Sequence, residues 1–247
     1  MGWEISGSDT GGNRVSDKEQ DGWPLTLTRR MEDFPVANIT LAGWLKCADK
    51  TLADLISSCR YPWDLLALNE KIVGEMAEDE IFGEIHPLAV VEGRLTLGKG
   101  SRILPGVFIE GNVVIGENCK IGPNCYIRGN TSIGNNCHIG QSVEIKNSII
   151  LDGTNVGHLS YVGDSILGEK VNFGAGTNVS NLRHDGLNHR SMTESGLVDT
   201  GRRKLGVIVG DGVHTGIGTM IYPGRKIWPN MGTRPGDVVQ ADLRPVE

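Results

Sequence analysis

Aromatic side chains are scarce in this chain of 247 residues, making up 5% of it. That scarcity argues against a conventional globule, whose core leans on Phe, Tyr and Trp. The five cysteines, Cys47, Cys59, Cys119, Cys125 and Cys137, are odd in number and form no CxxC pair. This speaks against a disulfide framework and against zinc, and it fits a reduced compartment. No run of 18 or more apolar residues exists, so no membrane partner is expected. MGWEISGSDTGGN at the N-terminus lacks the charged and apolar regions of a secretory signal, so a soluble cytoplasmic protein is expected. MGWEIS does match the myristoylation pattern, but so short a pattern recurs by chance. The formal net charge is −6 and the basic residues are scattered, which leaves nucleic acid without an electrostatic footprint.

Glycine is plentiful. The 35 glycines are about twice the ordinary usage of ~7%, the mark of a backbone that turns often. Residues 1–26 are polar and show no periodicity, which reads as a mobile arm. Residues 27–84 carry a helical pattern. In TLADLISSC, Leu52, Leu55 and Ile56 follow Thr51 as a possible N-cap; in YPWDLLALNEKIVG, Pro62 sits in the first turn and Gly74 at the end. Helices this short need something to pack on.

Residues 85–247 supply it. Aliphatic side chains recur every six positions at Ile85, Val91, Leu97, Ile103, Ile109, Ile115, Ile121, Ile127, Ile133, Ile139 and Ile145, commonly followed by Gly and a polar pair. This hexapeptide repeat predicts an all-β fold, a parallel β-helix in which each hexad is a short strand plus a turn and only the stack makes a core. The frame slips by one to Ile150, Val156 and Val162, and again to Leu167, Phe173 and Val179. Residues 182–204 are too polar for coil wall and read as an excursion. Cys119, Cys125 and Cys137 fall two before an aliphatic anchor and point inward by strand alternation, as small core residues.

If three hexads make one coil, residues 18 apart stack at roughly 4.8 Å. Arg128, beside Ile127, and Lys146, beside Ile145, then become adjacent cations on an outer wall. Like charges so placed cost stability unless an anion lies between them, and phosphate suits both Arg's fork and Lys's point charge; the alternative is a solvated, splayed pair. His158, in NVGHLSYVGD, is read as coinciding with the slip of frame, close to Tyr161 and one coil above Glu144. That arrangement puts a base, a carboxylate able to orient it and a cation pair on one wall.

The run from RGNTSIGNNCHIG at Arg128 through GHLSYVGDS and NFGAGT to GRRKLGVIVGDGVHTGI resembles the acetyltransferase domain of bifunctional UDP-N-acetylglucosamine pyrophosphorylase / glucosamine-1-phosphate N-acetyltransferase, especially its archaeal-type sugar-phosphate nucleotidyltransferase relatives. The resemblance implies a left-handed β-helix, a homotrimer with sites at subunit boundaries, and transfer of acetyl from acetyl-CoA to an amino-sugar phosphate without a metal. By motif it implies Arg128, Lys146 and Tyr161 as sugar-phosphate ligands and His158 as the base. Glu144, Asn172 and Asn181 become orienting or sugar contacts, and Gly174, Ala175 and Gly176 part of the acetyl-CoA site. Such an enzyme needs a neutral amine, a base and donors for the oxyanion.

Three features depart from that family. Nothing matches its GxGxRM-like nucleotidyltransferase start, so pyrophosphorylase activity is not expected, though YPWDLLALNE resembles the tail of that domain. Ile217 stands where the family often has Ser. NLRHDG replaces NYDG, adding Arg183 and His184. His184 and His189 read as solvated loop residues rather than metal ligands. The opposing reading is a non-catalytic β-helix, a scaffold or the regulatory partner of a separate nucleotidyltransferase.

Overall fold

The computed structural model describes residues 20–245. Its body is a parallel β-helix with three faces, as the hexads predict. Face I runs through eight strands from Glu80–Ile81 to Arg225–Ile227, face II through six from Glu84–Ile85 to Asn172–Phe173, and face III through eight from Val90–Glu92 to Val238–Val239. Every neighbouring pair within a face is parallel and joins residues one coil apart, as in Ile109↔Ile127↔Ile145↔Val162 on face III. The aliphatic anchors fill the interior, and Ile109, Ile115, Ile121, Ile127, Ile133, Ile139 and Ile145 are fully buried.

Cys119, Cys125 and Cys137 are buried among these anchors, as alternation requires. Cys137 N–H donates to Cys119 Sγ at 3.4 Å on the coil below. Burial pushes the Cys125 thiol up to about 12, and the hydrogen bond with Cys119, then burial, raise that of Cys137. Small thiols suit a narrow triangular interior where larger side chains would overpack.

The helix begins earlier than Ile85, because Glu80–Ile81 already pairs with Thr96 and Leu97. Ile81 and Ile85 are only four residues apart, so this first corner is too tight to show in a six-residue count.

Both later frame slips occur at one corner, where face III passes to face I. Neighbouring rungs there are 17 residues apart: Ile133↔Ile150 across the first and Ile150↔Leu167 across the second. The shortened corners are Lys146-Asn147-Ser148 and Gly163-Asp164-Ser165, with Asn147 and Asp164 in the left-handed conformation that Asn and Asp tolerate best. Residues 182–204 leave the coil beyond the same corner one turn later. Leu182 and Lys204 form an antiparallel bridge at its base, and Arg190–Thr193 pairs with Gly196–Asp199 in a hairpin.

The helical region packs on face I. It comprises α1 (Leu41–Trp44), α2 (Lys50–Ser58) and α3 (Pro62–Gly74). Asp49 rather than Thr51 caps α2, accepting Leu52 N–H at 2.8 Å, because a carboxylate one residue before the helix reaches the free N–H groups. Pro62 and Gly74 bound α3 as expected. Trp63, Leu65, Leu66 and Leu68 are buried in one cluster with Ile149, Ile166 and Ile208. These three isoleucines form an outward column on face I in register. The column is apolar, so it needs a cover.

Of the expected arm of residues 1–26, the structure describes Gln20 onward. Leu25 is buried in the same cluster, and Arg29 pairs with Asp211 at 2.6 Å and Glu169 at 3.0 Å. Residues 1–19, and with them the MGWEIS pattern, lie outside the described residues.

Leu68→Ala removes a wholly buried side chain from the α3–face I contact. It should cost about 2–5 kcal/mol, read as a lower urea midpoint. An unchanged midpoint would mean that the helices do not stabilise the coil.

Candidate functional site

Face III carries the expected column. Tyr126↔Glu144, Arg128↔Lys146, Glu144↔Tyr161 and Lys146↔Gly163 are neighbours in register. Arg128 and Lys146 are therefore stacked, but neither is bare. Arg128 Nε and Nη2 both donate to Glu144 Oε1, at 2.8 and 2.7 Å, and this bond keeps the guanidinium more firmly protonated. Arg128 also lies over the Tyr126 ring, 5.3 Å from its centroid. Lys146 Nζ donates to Asp164 Oδ2 at 2.9 Å and Oδ1 at 3.2 Å. Within one chain, carboxylates offset the like-charge repulsion.

Asp164 did not figure among the expected site residues, although it stands in the GHLSYVGDS motif. Its side chain is 3% exposed. Besides Lys146 it accepts from Asn147 Nδ2 at 3.0 Å and Asn181 Nδ2 at 2.6 Å. A buried carboxylate needs this many donors. Asn181 Nδ2 also donates to the Tyr161 hydroxyl at 3.0 Å, joining two expected site residues. Burial, and then Asp164 and Glu144, raise the Tyr161 phenol above its ordinary range. Above Lys146 the column ends in glycine. A Cβ at Gly163 would run into the Tyr161 hydroxyl and stand 2.7 Å from Asn181 Nδ2.

His158 occupies a different corner, from face II to face III. It closes the strand Asn155–His158, paired with Gln141, and is exposed. The frame is regular there, so the slip and the histidine belong to opposite edges of face III. Glu144 bonds to Arg128, and no described residue hydrogen-bonds the His158 ring. Ala175 is the next rung at the same corner. Leu159 N–H donates to Gln141 O, Gly176 N–H to His158 O and Gly218 N–H to Ala175 O, at 3.0, 3.1 and 2.8 Å. Gln141, His158, Ala175 and Ile217 thus form a column, with Gly174 and Gly176 flanking Ala175.

Asn172 stands on face II beside Asn155 and His214, away from the cation column of this chain. A run of glycines follows the anchors of face II: Gly140, Gly157, Gly174 and Gly216. A Cβ on Gly174 or Gly216 would strike the backbone of the next rung, whereas one on Gly157 would meet nothing within 4 Å. The result is a track without side chains that runs beside the column of Gln141, His158, Ala175 and Ile217.

The excursion histidines differ from one another. His184 is exposed, but His189 is buried, its Nε2 lying 3.2 Å from Asn181 O, because the hairpin folds back over the coil. The solvated reading holds for His184 only. Among the described residues, no group of three His, Cys, Asp or Glu could hold a metal ion, and no helix is long and apolar enough to cross a membrane.

A three-faced hexapeptide coil with this column defines the class. The family model for the GMPPB C-terminal domain matches residues 109–232, half of the chain, and the chain belongs to that family. The bifunctional sugar-1-phosphate nucleotidylyltransferase/acetyltransferase of Sulfurisphaera tokodaii is 38% identical over 182 residues, 74% of this chain and 45% of that protein. A bifunctional protein GlmU of Methanococcus maripaludis (strain C7) is 50% identical over 170 residues, 69% of this chain and 41% of that one. The resemblance carried by GHLSYVGDS and NFGAGT therefore holds, and the chain spans less than half the length of these relatives. A solved acetyltransferase domain of PglB from Neisseria gonorrhoeae covers 66% of the chain at 16% identity, with 52% of that chain covered and a TM-score of 0.35.

Burial holds the imidazole of His189 below the usual histidine range, with Arg183 and Arg225 acting in the same direction. His138 is lowered by burial and by Lys120. The unfolded chain therefore binds more protons below about pH 6.5. The stability these rings allow is complete above that pH and lost as pH falls towards their folded values. Thermal unfolding should show Tm dropping between pH 7.5 and 5.5, with a smaller drop in His189→Gln. Identical pH profiles for the two proteins would remove His189 from this account.

Proposed function

We propose that the chain is an acyltransferase moving acetyl from acetyl-CoA to the amine of an amino-sugar phosphate such as glucosamine 1-phosphate. The observation that supports it best is the shared edge of face III. His158 and Ala175 are successive rungs there, and the same face carries Arg128, Lys146 and Tyr161. The relative named a bifunctional sugar-1-phosphate nucleotidylyltransferase/acetyltransferase supports the substrate class.

In this reading Arg128 and Lys146 bind the phosphate, and Glu144, the more exposed of the two carboxylates, yields Arg128 to it. Tyr161 and Asn181 contact the sugar, and Asn172 does so from face II, where a trimer would bring the faces of two chains together. The pantetheine arm lies along the glycine track, with Gly174, Ala175 and Gly176 at the acetyl end. His158 accepts the proton of the attacking amine as the C–N bond forms, and the C–S bond breaks to release CoA thiolate, which His158 then protonates. A homotrimer acting in the cytoplasm fits this chemistry, which asks for no metal.

One observation favours the second reading, a non-catalytic scaffold or regulatory subunit. Both cations of the column already have carboxylate partners. A scaffold would leave them so.

Release of CoA thiol from acetyl-CoA should require glucosamine 1-phosphate and should fall about 10²–10⁴-fold in His158→Ala. Lys146→Ala should raise KM for the sugar phosphate. A folded protein that neither releases thiol nor binds acetyl-CoA would leave the scaffold reading.

A further inference from the structure

Helix α3 follows the corner between faces III and I and is held there by asparagines from successive coils. Asn112 Nδ2 donates to the carbonyls of Val73 and Gly74 at 3.0 and 3.2 Å. Asn130 Nδ2 donates to Glu70 O at 3.1 Å, and its carbonyl accepts from Asn69 Nδ2 at 2.7 Å. Both asparagines reach only the backbone or a neutral amide of the helix. The next rung differs, because Asn147 Nδ2 donates to the Glu70 carboxylate at 2.6 Å and also to Asp164 at 3.0 Å. At this one rung a charged group of α3 connects to the cation column.

We infer that Glu70 is a positioning residue for the anion-binding wall of face III, acting through Asn147 and Asp164 on Lys146. The inference rests on that wall being the sugar-phosphate site. An amide nitrogen has two protons, and Asn147 gives one to each acid, so Glu70 fixes how the amide is turned toward Asp164. Asp164 in turn fixes Lys146 Nζ and Asn181 Nδ2. Glu70 has a second route to Asn181. Its Oε1 accepts from Arg202 Nη2 at 2.5 Å, and Arg202 precedes Lys204, whose partner Leu182 follows Asn181 at the base of the excursion. One carboxylate on the helical region thus braces the corner, the root of the excursion and, through Asp164, the ammonium that would meet the phosphate.

A merely structural role for Glu70 predicts lost stability with unaltered ligand affinity. A positioning role predicts coupling to Asn147. The probes are glucosamine 1-phosphate and, separately, acetyl-CoA, titrated calorimetrically into the full chain, so that no turnover is needed. Glu70→Ala should weaken glucosamine 1-phosphate binding about tenfold, the scale of a hydrogen bond to a charged group, and leave acetyl-CoA binding within about twofold. Asn147→Gly, which keeps the left-handed backbone without strain, should do the same, and the double variant should lose no more than either single one. If Glu70→Ala does not fold, Glu70→Gln, which retains the shape and an acceptor, should still weaken binding a few-fold. Unchanged affinity in the folded Glu70 variant, with binding lost in Lys146→Ala, would overturn the role of Glu70 and leave the site standing. No binding by the wild-type chain would overturn both. Additive losses in the double variant would also count against it, since they would separate Glu70 from Asn147.

Discussion

A backbone hydrogen-bond ladder that must close at every coil is the constraint on which this molecule depends. Each strand of two to four residues is too short to persist alone, and it gains its partners only if the chain returns one coil later at the same phase. The return fixes which side chains point in, and the narrow interior is filled by aliphatic residues, small thiols and hydroxyls, with Phe173 its one aromatic anchor among the described residues. It also fixes which side chains stack outside. The placement of Arg128 over Lys146, or of His158 beside Ala175, follows from backbone register before any side chain makes a bond.

Corners absorb what the ladder cannot. Two one-residue losses and a long excursion all occur at the passage from face III to face I, and the inward anchors on either side remain paired. The same corner carries the asparagines that seat α3 and the acid that holds Lys146. Polar side chains concentrate there because a corner leaves backbone groups that no strand neighbour satisfies. They do two jobs: closing the turn and gripping an adjoining element.

Much of this was legible in the residues. A six-residue period can be counted directly, and strand alternation then assigns inside and outside, which is why the inward cysteines and the stacked cations were foreseeable. The motifs GHLSYVGDS and NFGAGT led to the family. His158 was placed at the slip although its flanking anchors, Val156 and Val162, keep the six-residue step and the lost residues fall before Ile150 and before Leu167. Asp164 went unremarked because its importance comes from donors in two distant segments, Lys146-Asn147 and Asn181. Glu70 lies far from the repeat in sequence, and only tertiary packing brings it to Asn147. Yet a signal existed: EGNV, RGNT, KNSI and GDSI recur at the same corner, with Asp replacing Asn beside Lys146.

The outward isoleucine column of face I has a consequence for how the polypeptide comes into being. Ile149, Ile166 and Ile208 belong to coils made after the helices that cover them, so α1 to α3 leave the ribosome before their seat exists. Until the middle coils are complete, those helices carry an exposed sticky side, and the growing solenoid supplies its own chaperone only once face I has risen past Ile208.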